Sequence, residues 1–237
     1  IALDGIQQGA YPGCQIVVLR NGHIMYDKAF GTYAGKGSPR VESTDIYDLA
    51  SLSKTTGTLL AIMKLYDKGR FSLTDKISDY LPFLQRTDKK DITIQEILLH
   101  QSGLPSWIPF YQEVIDKDSY DGRLFSARRD AKHLLRIGTT TWANPDFKFK
   151  KEYISSVGTG DYIAETPLRQ KRYVYSDIGF ILLGMLVEQL AEMPMEAYLQ
   201  REFYGPMGLE RTGYLPLRRF AKSEIVPSNK DRFLRKE

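Results

Sequence analysis

A serine and a lysine, one helical turn apart, lie at the start of a strongly apolar segment. Ser51 and Lys54 open the stretch SLSKTTGTLLAIMKLYDKG, and this spacing in a helix places both side chains on one face, with Cβ atoms about 5–6 Å apart. Partial removal of an ammonium from water lowers its pKa, and a neutral or proton-sharing lysine helps a serine hydroxyl attack a carbonyl. The pair therefore favours nucleophilic acyl transfer, although a serine N-cap followed by a surface lysine would show the same spacing.

The segment that carries this pair predicts a helix over residues 51–68, which Gly69 is well suited to end. Lys64 is the only polar residue within 59–66, so the pattern predicts a helix that is central and buried nearly all round. Ser51 would lie at its N-terminus, where free backbone N–H groups and the helix dipole stabilise a developing negative charge. The buried helix would then hold the reactive residues at its N-terminus in a fixed position.

A second candidate lies in YVYSDIGFILLG, where Tyr175, Ser176 and Asp177 precede another strongly apolar run. The run predicts a helix that starts near Asp177. Taken alone, Ser176 or Asp177 would be an ordinary N-cap, a role that is compatible with any function.

Together the two segments resemble the serine β-lactamase and penicillin-binding-protein superfamily, in its class C and esterase-like branch. SLSK at 51–54 matches the S-x-x-K motif of these proteins, and Tyr175 to Asp177 stand where class C has Tyr-x-Asn. Further segments follow in the expected order along nearly the whole chain: GRFSLTDKISDYLP, ITIQEILLHQSGLP and FYGPMGLERTGY. The resemblance implies an α/β (α+β) fold of the β-lactamase/transpeptidase type, in which helices flank an antiparallel sheet beside a helical subdomain.

The resemblance also implies roles for individual residues. Ser51 would be the acyl-accepting nucleophile, and Lys54 would lower the barrier to its deprotonation. Tyr175 would be the general base or acid, with a phenol pKa lowered by the nearby ammonium. The backbone N–H of Ser51 would supply one half of the oxyanion hole.

Asp177 departs from the pattern of the family, which has Asn in contact with the lysine and with the substrate amide. We expect Asp177 to be a substrate-binding residue at the same place. An ionised Asp only accepts hydrogen bonds, while Asn also donates, and a carboxylate near Lys54 would hold that lysine protonated. The substitution argues against ordinary handling of β-lactams but leaves the nucleophile in place.

The remaining elements fit this fold. Residues 14–34 predict a β-hairpin that turns at Asn21-Gly22. Thr93 and Glu96 form a capping box at the start of a second helix. A fourth helix begins at Pro194, whereas residues 106–170 indicate only short helices.

The domain prediction is one β-lactamase-like domain over 1–237. Its sheet-forming part covers 1–50, a mostly helical part with the site covers 51–215, and 216–237 begin an incomplete C-terminal part. The third family motif, Lys-Thr-Gly or His-x-Gly, does not occur in 178–237. We therefore expect a C-terminally truncated domain whose last strands are absent, as in a piece of a larger multidomain protein.

Composition limits the classes of partner. The formal net charge is +4 over 237 residues, and the basic residues are scattered apart from the tail KDRFLRKE, which argues against nucleic acid. No apolar run reaches the length of a membrane span, and we expect no signal peptide in this chain. With one cysteine, Cys14, no intrachain disulfide can form. No metal-ligand spacing and no phosphate loop occurs, so we expect neither a metal nor another cofactor.

The histidines are assigned no catalytic role. His100, in LLHQSG, is expected to pack and hydrogen-bond at a helix end, as the resemblance implies. His23 follows the hairpin turn and His133 lies in a charged stretch, so both are predicted to lie on the surface.

The sequence thus predicts a serine hydrolase that works through an acyl-Ser51 intermediate. Its substrate would be a β-lactam, a D-amino-acid peptide of the peptidoglycan type or a carboxylic ester, and its place would be periplasmic or otherwise extracytoplasmic. The alternative is a non-catalytic β-lactamase-like module that binds cell-wall peptide or supports a fused partner domain.

Overall fold

A computed structural model describes residues 1–108, 110, 115–119, 121–136, 142–146, 148–149 and 157–227. The chain divides into two compact units. The first consists of residues 1–49, 125–143 and 215–237, and the second of residues 50–124 and 144–214. The prediction of a single domain over 1–237 stays a prediction.

The elements of the described residues alternate between short strands and helices. The helices are α1 (Ala2–Gln7), α2 (Leu59–Asp67), α3 (Ile77–Tyr80), α4 (Ile94–Leu98), α5 (Val157–Glu165), α6 (Asp177–Ala191) and α7 (Met195–Leu199), with π-helical turns at Lys54–Thr58 and Gln200–Tyr204 and 3₁₀ turns at Pro82–Leu84, Lys117–Ser119, Pro216–Arg218 and Lys222–Glu224. The strands are β1 (Gly13–Arg20), β2 (His23–Gly31), β3 (Ile115–Asp116), β4 (Phe125–Ser126), β5 (Leu135–Arg136), β6 (Trp142–Ala143) and β7 (Lys148–Phe149).

The first unit is built on the predicted hairpin, which is confirmed. β1 and β2 pair antiparallel from Gly13 opposite Gly31 to Arg20 opposite His23. Asn21 and Gly22 both have positive φ, 51° and 78°, which is the turn geometry that matches the twist of a hairpin. His23 is exposed as predicted.

Two further features of the first unit were not predicted. β4, β6 and β5 form a small antiparallel sheet in that order, and Ile46 pairs with Ile225 in a parallel bridge.

His133 keeps only 7% of its surface exposed, so its prediction as a surface residue was wrong. The cause is Asp130, three residues earlier, whose carboxylate lies 2.7 Å from His133 Nδ1 and accepts the backbone N–H of His133 as well. The His133 hydrogen bonds lower the pKa of Asp130 to about 2.

The second unit is a helical core. Its members are apolar side chains from five helices: Ala61, Ile62, Leu65, Ile77, Ile94, Ile97, Leu182, Leu183, Leu186, Val187 and Leu199. The predicted capping box of Thr93 and Glu96 is present at the start of α4. α6 begins at Asp177 as predicted, and α7 begins at Met195, directly after Pro194. Burying these apolar faces against each other stabilises the helices at roughly 25 cal/mol per Å² of surface removed from water.

The first long helix differs from its prediction in its opening turn and in its burial. Its helical residues begin at Leu52 and include the π-helical turn at Lys54–Thr58, and it ends before Gly69 as predicted, where φ is 63°. Its inner face is buried, but Met63 and Tyr66 are 57% and 50% exposed. The prediction of burial nearly all round was therefore wrong.

In the described part of the chain, no single helix has the length and apolarity needed to cross a membrane, and one pair bent by 71°, Asp177–Ala191 with Met195–Tyr204, meets both conditions together.

Candidate active site

The turn just before the π-helical turn brings the Ser51 hydroxyl next to the side chain of Lys54. The Lys54 N–H donates to the Ser51 carbonyl at 3.0 Å, and Lys54 Nζ donates to Ser51 Oγ at 3.2 Å. Ala50 has a φ of 44°, in the left-handed region that a residue with a Cβ adopts only at a cost of about 1–2 kcal/mol. This strain lies next to Ser51, where backbone strain often marks a functional position.

The polar residues in the first turns of this helix also have a structural role. The hydroxyls of Thr55 and Thr56 donate to the Leu52 carbonyl at 3.0 and 2.9 Å. The Tyr204 hydroxyl donates to the Thr56 carbonyl at 2.8 Å, which satisfies an acceptor that the widened turn leaves without its usual partner. A Cβ at Gly57 would lie 2.2 Å from the Tyr214 hydroxyl, so glycine gives the tyrosine room.

A loop that carries Tyr175 and Asp177 is tied to the chain after α4. The Val174 N–H donates to the His100 carbonyl at 2.9 Å, and the Asp177 N–H donates to the Ser106 carbonyl at 2.8 Å. Ser176, the N-cap of α6, accepts the Gly179 N–H on its hydroxyl oxygen and donates to the Pro105 carbonyl at 2.6 Å. These bonds fix residues 173–177 before α6 begins.

His100 is part of this anchorage, as its prediction as a packing and hydrogen-bonding residue implied. Its Nδ1 accepts the Ser176 N–H at 3.1 Å, and its ring centroid lies 4.8 Å from that of Tyr175 and 5.4 Å from that of Phe180. Burial, followed by the charge of Lys54, lowers the pKa of His100. His100 is therefore a neutral acceptor that orients the Tyr175 loop.

The structure brings Lys54 and Asp177 together as an ion pair. Lys54 Nζ lies 2.6 Å from Asp177 Oδ1, and the lysine side chain is only 15% exposed. Burial by itself lowers the pKa of Lys54, but the hydrogen bonds to Asp177 and Tyr175 and the Asp177 charge outweigh burial, and the net pKa is raised. The net shift of this pKa is therefore opposite to the lowering that desolvation alone would give, and it agrees with the expectation that Asp177 would hold Lys54 protonated.

The third partner of the ammonium is Tyr175. Hydrogen bonds from Lys54, in first place, and from Ser51 lower the pKa of Tyr175 below its ordinary value near 10. The Lys54 ammonium also lies 5.0 Å from the centre of the tyrosine ring. Among its polar partners, the Lys54 ammonium donates to Ser51 Oγ and forms an ion pair with Asp177.

The backbone N–H of Ser51 remains available. It donates to no acceptor among the residues that the structure describes, so it is free to hydrogen-bond a ligand oxygen. Over the same residues, no group of three or more His, Cys, Asp or Glu side chains is arranged to hold a metal ion.

Some contributors to the site carry little signal in the sequence. The strain at Ala50 and the support from Tyr204 depend on tertiary structure, and no local pattern indicates them. Tyr214 closes the segment FYGPMGLERTGY, whose resemblance to the family was the one available sign of its importance.

Two curated proteins are similar in sequence to this chain. The N-acetylmuramyl-L-alanine amidase of Bacillus subtilis (strain 168) is 29% identical over 243 residues, which cover 93% of this chain and 48% of that protein. A protein of Salmonella schwarzengrund (strain CVM19633), provisionally named D-alanyl-D-alanine carboxypeptidase, is 29% identical over 236 residues, 91% of this chain and 47% of that protein. The chain thus spans about half the length of the curated relatives it matches.

The fold agrees with solved structures of the superfamily. The octameric penicillin-binding protein homologue from Pyrococcus abyssi superposes with a TM-score of 0.62 at 22% identity, over 88% of this chain and 42% of that chain. This likeness confirms the β-lactamase/transpeptidase-like fold that the two motifs predicted. The sequence itself matches the Beta-lactamase family over residues 3–222, and the chain therefore belongs to that family.

Proposed function

We propose that this protein is a serine hydrolase that forms and then hydrolyses an acyl-Ser51 intermediate. The observation that carries the proposal is the surroundings of one ammonium: Lys54 Nζ lies 3.2 Å from Ser51 Oγ, 2.6 Å from Asp177 Oδ1 and 5.0 Å from the centre of the Tyr175 ring. The arrangement joins a hydroxyl nucleophile, a phenol of lowered pKa and a fixed positive charge. Covalent acyl transfer needs a nucleophile next to such a base.

In acylation, Tyr175 accepts the Ser51 hydroxyl proton while Oγ bonds the substrate carbonyl carbon. Tyr175 then gives that proton to the departing group as its bond to the carbon breaks. In deacylation, Tyr175 takes a proton from water and the water oxygen bonds the acyl carbon. The bond from that carbon to Ser51 Oγ then breaks, and Tyr175 returns the proton to Oγ. Lys54 stays protonated throughout, because Asp177 raises its pKa, and its charge favours the phenolate form of Tyr175.

The Ser51 N–H serves this scheme as one donor to the oxyanion that forms on the carbonyl oxygen. Its freedom from any acceptor in the described residues supports the role. Removal of one such donor costs about 10²–10³ in turnover in enzymes of this kind.

The substrate we place first is a peptide of the cell-wall type that ends in a D-amino acid. Support comes from the two curated relatives, whose names give them amide substrates of the cell wall, and an extracytoplasmic location would follow from such a substrate. A β-lactam or a carboxylic ester would react through the same acyl-Ser51 intermediate.

A peptide ending in D-Ala-D-Ala, nitrocefin and p-nitrophenyl acetate together test the proposal. We expect release of D-alanine from the peptide, and a loss of at least about 10³-fold in turnover in Ser51→Ala, because no other group replaces the nucleophile. Ser53→Ala, two residues away on the same turn, should keep its activity.

Absence of Ser51-dependent turnover on all three substrates would contradict the proposal. Binding of the D-Ala-D-Ala peptide that persists in Ser51→Ala without any turnover would favour the non-catalytic module, for which the protonated state of Lys54 is the supporting observation.

A further inference from the structure

The helical turn that carries Lys54 is wider than an ordinary α-helical turn. The Leu59 N–H donates to the Lys54 carbonyl, which spans five residues instead of the four of an α-helix. Such π-helical turns are rare, and they occur mostly as single turns inside α-helices, often at functional sites. Because one residue of an α-helix turns by about 100°, a return to α-helical bonding would rotate Lys54 about the helix axis relative to α2.

The Tyr204 side chain stabilises this turn from the core. Its hydroxyl donates to the Thr56 carbonyl, in the middle of the turn, at 2.8 Å. Tyr204 is only 5% exposed, so its hydroxyl finds few water molecules to replace this partner, and an unpaired buried donor is unfavourable. The bond therefore fixes the direction of the Thr56 carbonyl and, with it, the π-helical course of the backbone.

Tyr204 is itself fixed by its own backbone. It ends a second π-helical turn, Gln200–Tyr204, whose Glu202 forms an ion pair of 2.8 Å with Lys68. Lys68 directly follows α2. The second turn is thus bonded to the chain at both ends of α2, through Tyr204 before the helix and through Glu202 after it.

The position of Lys54 in the site depends on the first of these turns. Its ammonium lies 3.2 Å from Ser51 Oγ, on the same helix, and 2.6 Å from Asp177 Oδ1, at the start of α6. A rotation of the turn would carry the ammonium away from Asp177 and from the Tyr175 ring, whose centre lies 5.0 Å away, because both belong to a different segment.

We propose, on the basis of the proposed function, that Tyr204 is a positioning residue of the active site. Its hydroxyl maintains the π-helical turn, so that the Lys54 ammonium faces Ser51, Asp177 and Tyr175 together. Tyr204 acts on the reaction through the placement of Lys54 and not by contact with the substrate.

Replacement of Tyr204 by phenylalanine tests the proposal, because it keeps the buried ring and removes only the hydroxyl. Misplacement of a reacting group by about 1 Å costs up to 10²-fold in rate, so kcat for p-nitrophenyl acetate should fall by roughly 10- to 100-fold, with a KM close to that of the wild type. The limb of the pH profile that rises as Tyr175 ionises should also move up, toward the unperturbed phenol pKa of about 10, because the Lys54 charge no longer lies beside Tyr175. Rates are expressed per chain labelled by a fluorophosphonate, so that unfolded protein does not enter the comparison.

Tyr80→Phe is the matched control, since it makes the same change in the same unit and removes a phenol hydrogen bond of 2.6 Å, to Asp75. It should lower the thermal midpoint but keep the wild-type kcat and pH profile. A purely structural role of Tyr204 would make the two variants alike.

A double-mutant cycle with Lys54→Ala shows whether Tyr204 acts through the lysine. In the wild type, Tyr204→Phe should slow the labelling of Ser51 by the fluorophosphonate by roughly 10-fold or more. In Lys54→Ala, the same change should slow labelling by less than about 2-fold, because the effects of residues that act as a unit are not additive.

An unchanged pH profile in Tyr204→Phe, or equal losses in both backgrounds of the cycle, would overturn the positioning role. In either case a Ser51 adduct in the wild type leaves the acyl-serine function standing, whereas its absence contradicts that function and this inference together.

Discussion

At the scale of residues, the site depends on which groups surround the Lys54 ammonium. Lys54 Nζ donates to Ser51 Oγ, forms an ion pair with Asp177 and lies 5.0 Å from the centre of the Tyr175 ring. Burial lowers its pKa, but these polar partners outweigh burial and the net pKa is raised. A protonated Lys54 cannot be the base that takes the Ser51 proton. The lowered pKa of Tyr175 makes the tyrosine the base of the proposed mechanism.

Replacement of Tyr175 tests this assignment. Tyr175→Phe keeps the ring that packs on His100 but removes the proton acceptor, so turnover should fall by roughly 10²–10⁴-fold. In the wild type, kcat/KM should rise with pH up to the lowered Tyr175 pKa and then level off, because the phenolate is the active form. That rising limb should be missing from the pH profile of Tyr175→Phe.

Tyr173→Phe is the matched control, since Tyr173 is 69% exposed and contacts His100 through its ring edge. It should keep both the rate and the rising limb. A Tyr175→Phe variant with the wild-type pH profile would assign the base to another group.

At the scale of elements, the site rests on two segments that are far apart in the sequence and hydrogen-bonded to each other. The chain after α4 accepts backbone donors of the Tyr175 loop on His100 and Ser106, and the His100 ring adds an acceptor for Ser176. Loss of this ring acceptor would leave a Ser176 N–H without its partner, at a cost of about 1–3 kcal/mol.

His100 should therefore make stability depend on pH. Its pKa is lower in the folded protein than the unfolded value of about 6.5, because burial and the Lys54 charge disfavour the imidazolium while Asp177 offsets them in part. The unfolded state thus binds more protons, so the contribution is complete above pH 6.5 and is lost as pH falls from there toward the folded-state pKa.

Thermal unfolding of the wild type and His100→Gln from pH 8 to pH 5 measures this contribution. The wild type should lose more stability than His100→Gln over that range, while His23→Gln, at the exposed hairpin histidine, should follow the wild type. Parallel curves for all three proteins would show that His100 does not titrate across folding.

At the scale of the whole molecule, the parts that sequence could predict are those set by local chemistry. Asn21-Gly22 fixes the hairpin turn, Thr93 and Glu96 fix the start of α4, and the apolar run after Ser176 fixes α6. The four proposed site residues could be named because two short motifs resemble those of the serine β-lactamase and penicillin-binding-protein superfamily.

The parts that sequence could not predict depend on distant partners. The π-helical turn at Lys54–Thr58 is braced by Tyr204 and has Tyr214 beside Gly57, roughly 150 residues further along the chain. Strands of two residues carry no periodicity to recognise. Asp130 compensates for the burial of His133, because its Oδ1 accepts the backbone N–H and lies 2.7 Å from the ring Nδ1. A charged stretch does not reveal that compensation.

The most direct test of the central claim is intact-mass measurement with peptide mapping after exposure to a serine-reactive probe, either a phosphonylating fluorophosphonate or an acylating penicillin. The account predicts one adduct per chain, on the peptide that contains Ser51, and its absence in Ser51→Ala. The adduct should form more slowly in Tyr175→Phe, because the hydroxyl proton then lacks its acceptor. An adduct on Ser53 or Ser176, or no adduct with either probe, would contradict the account.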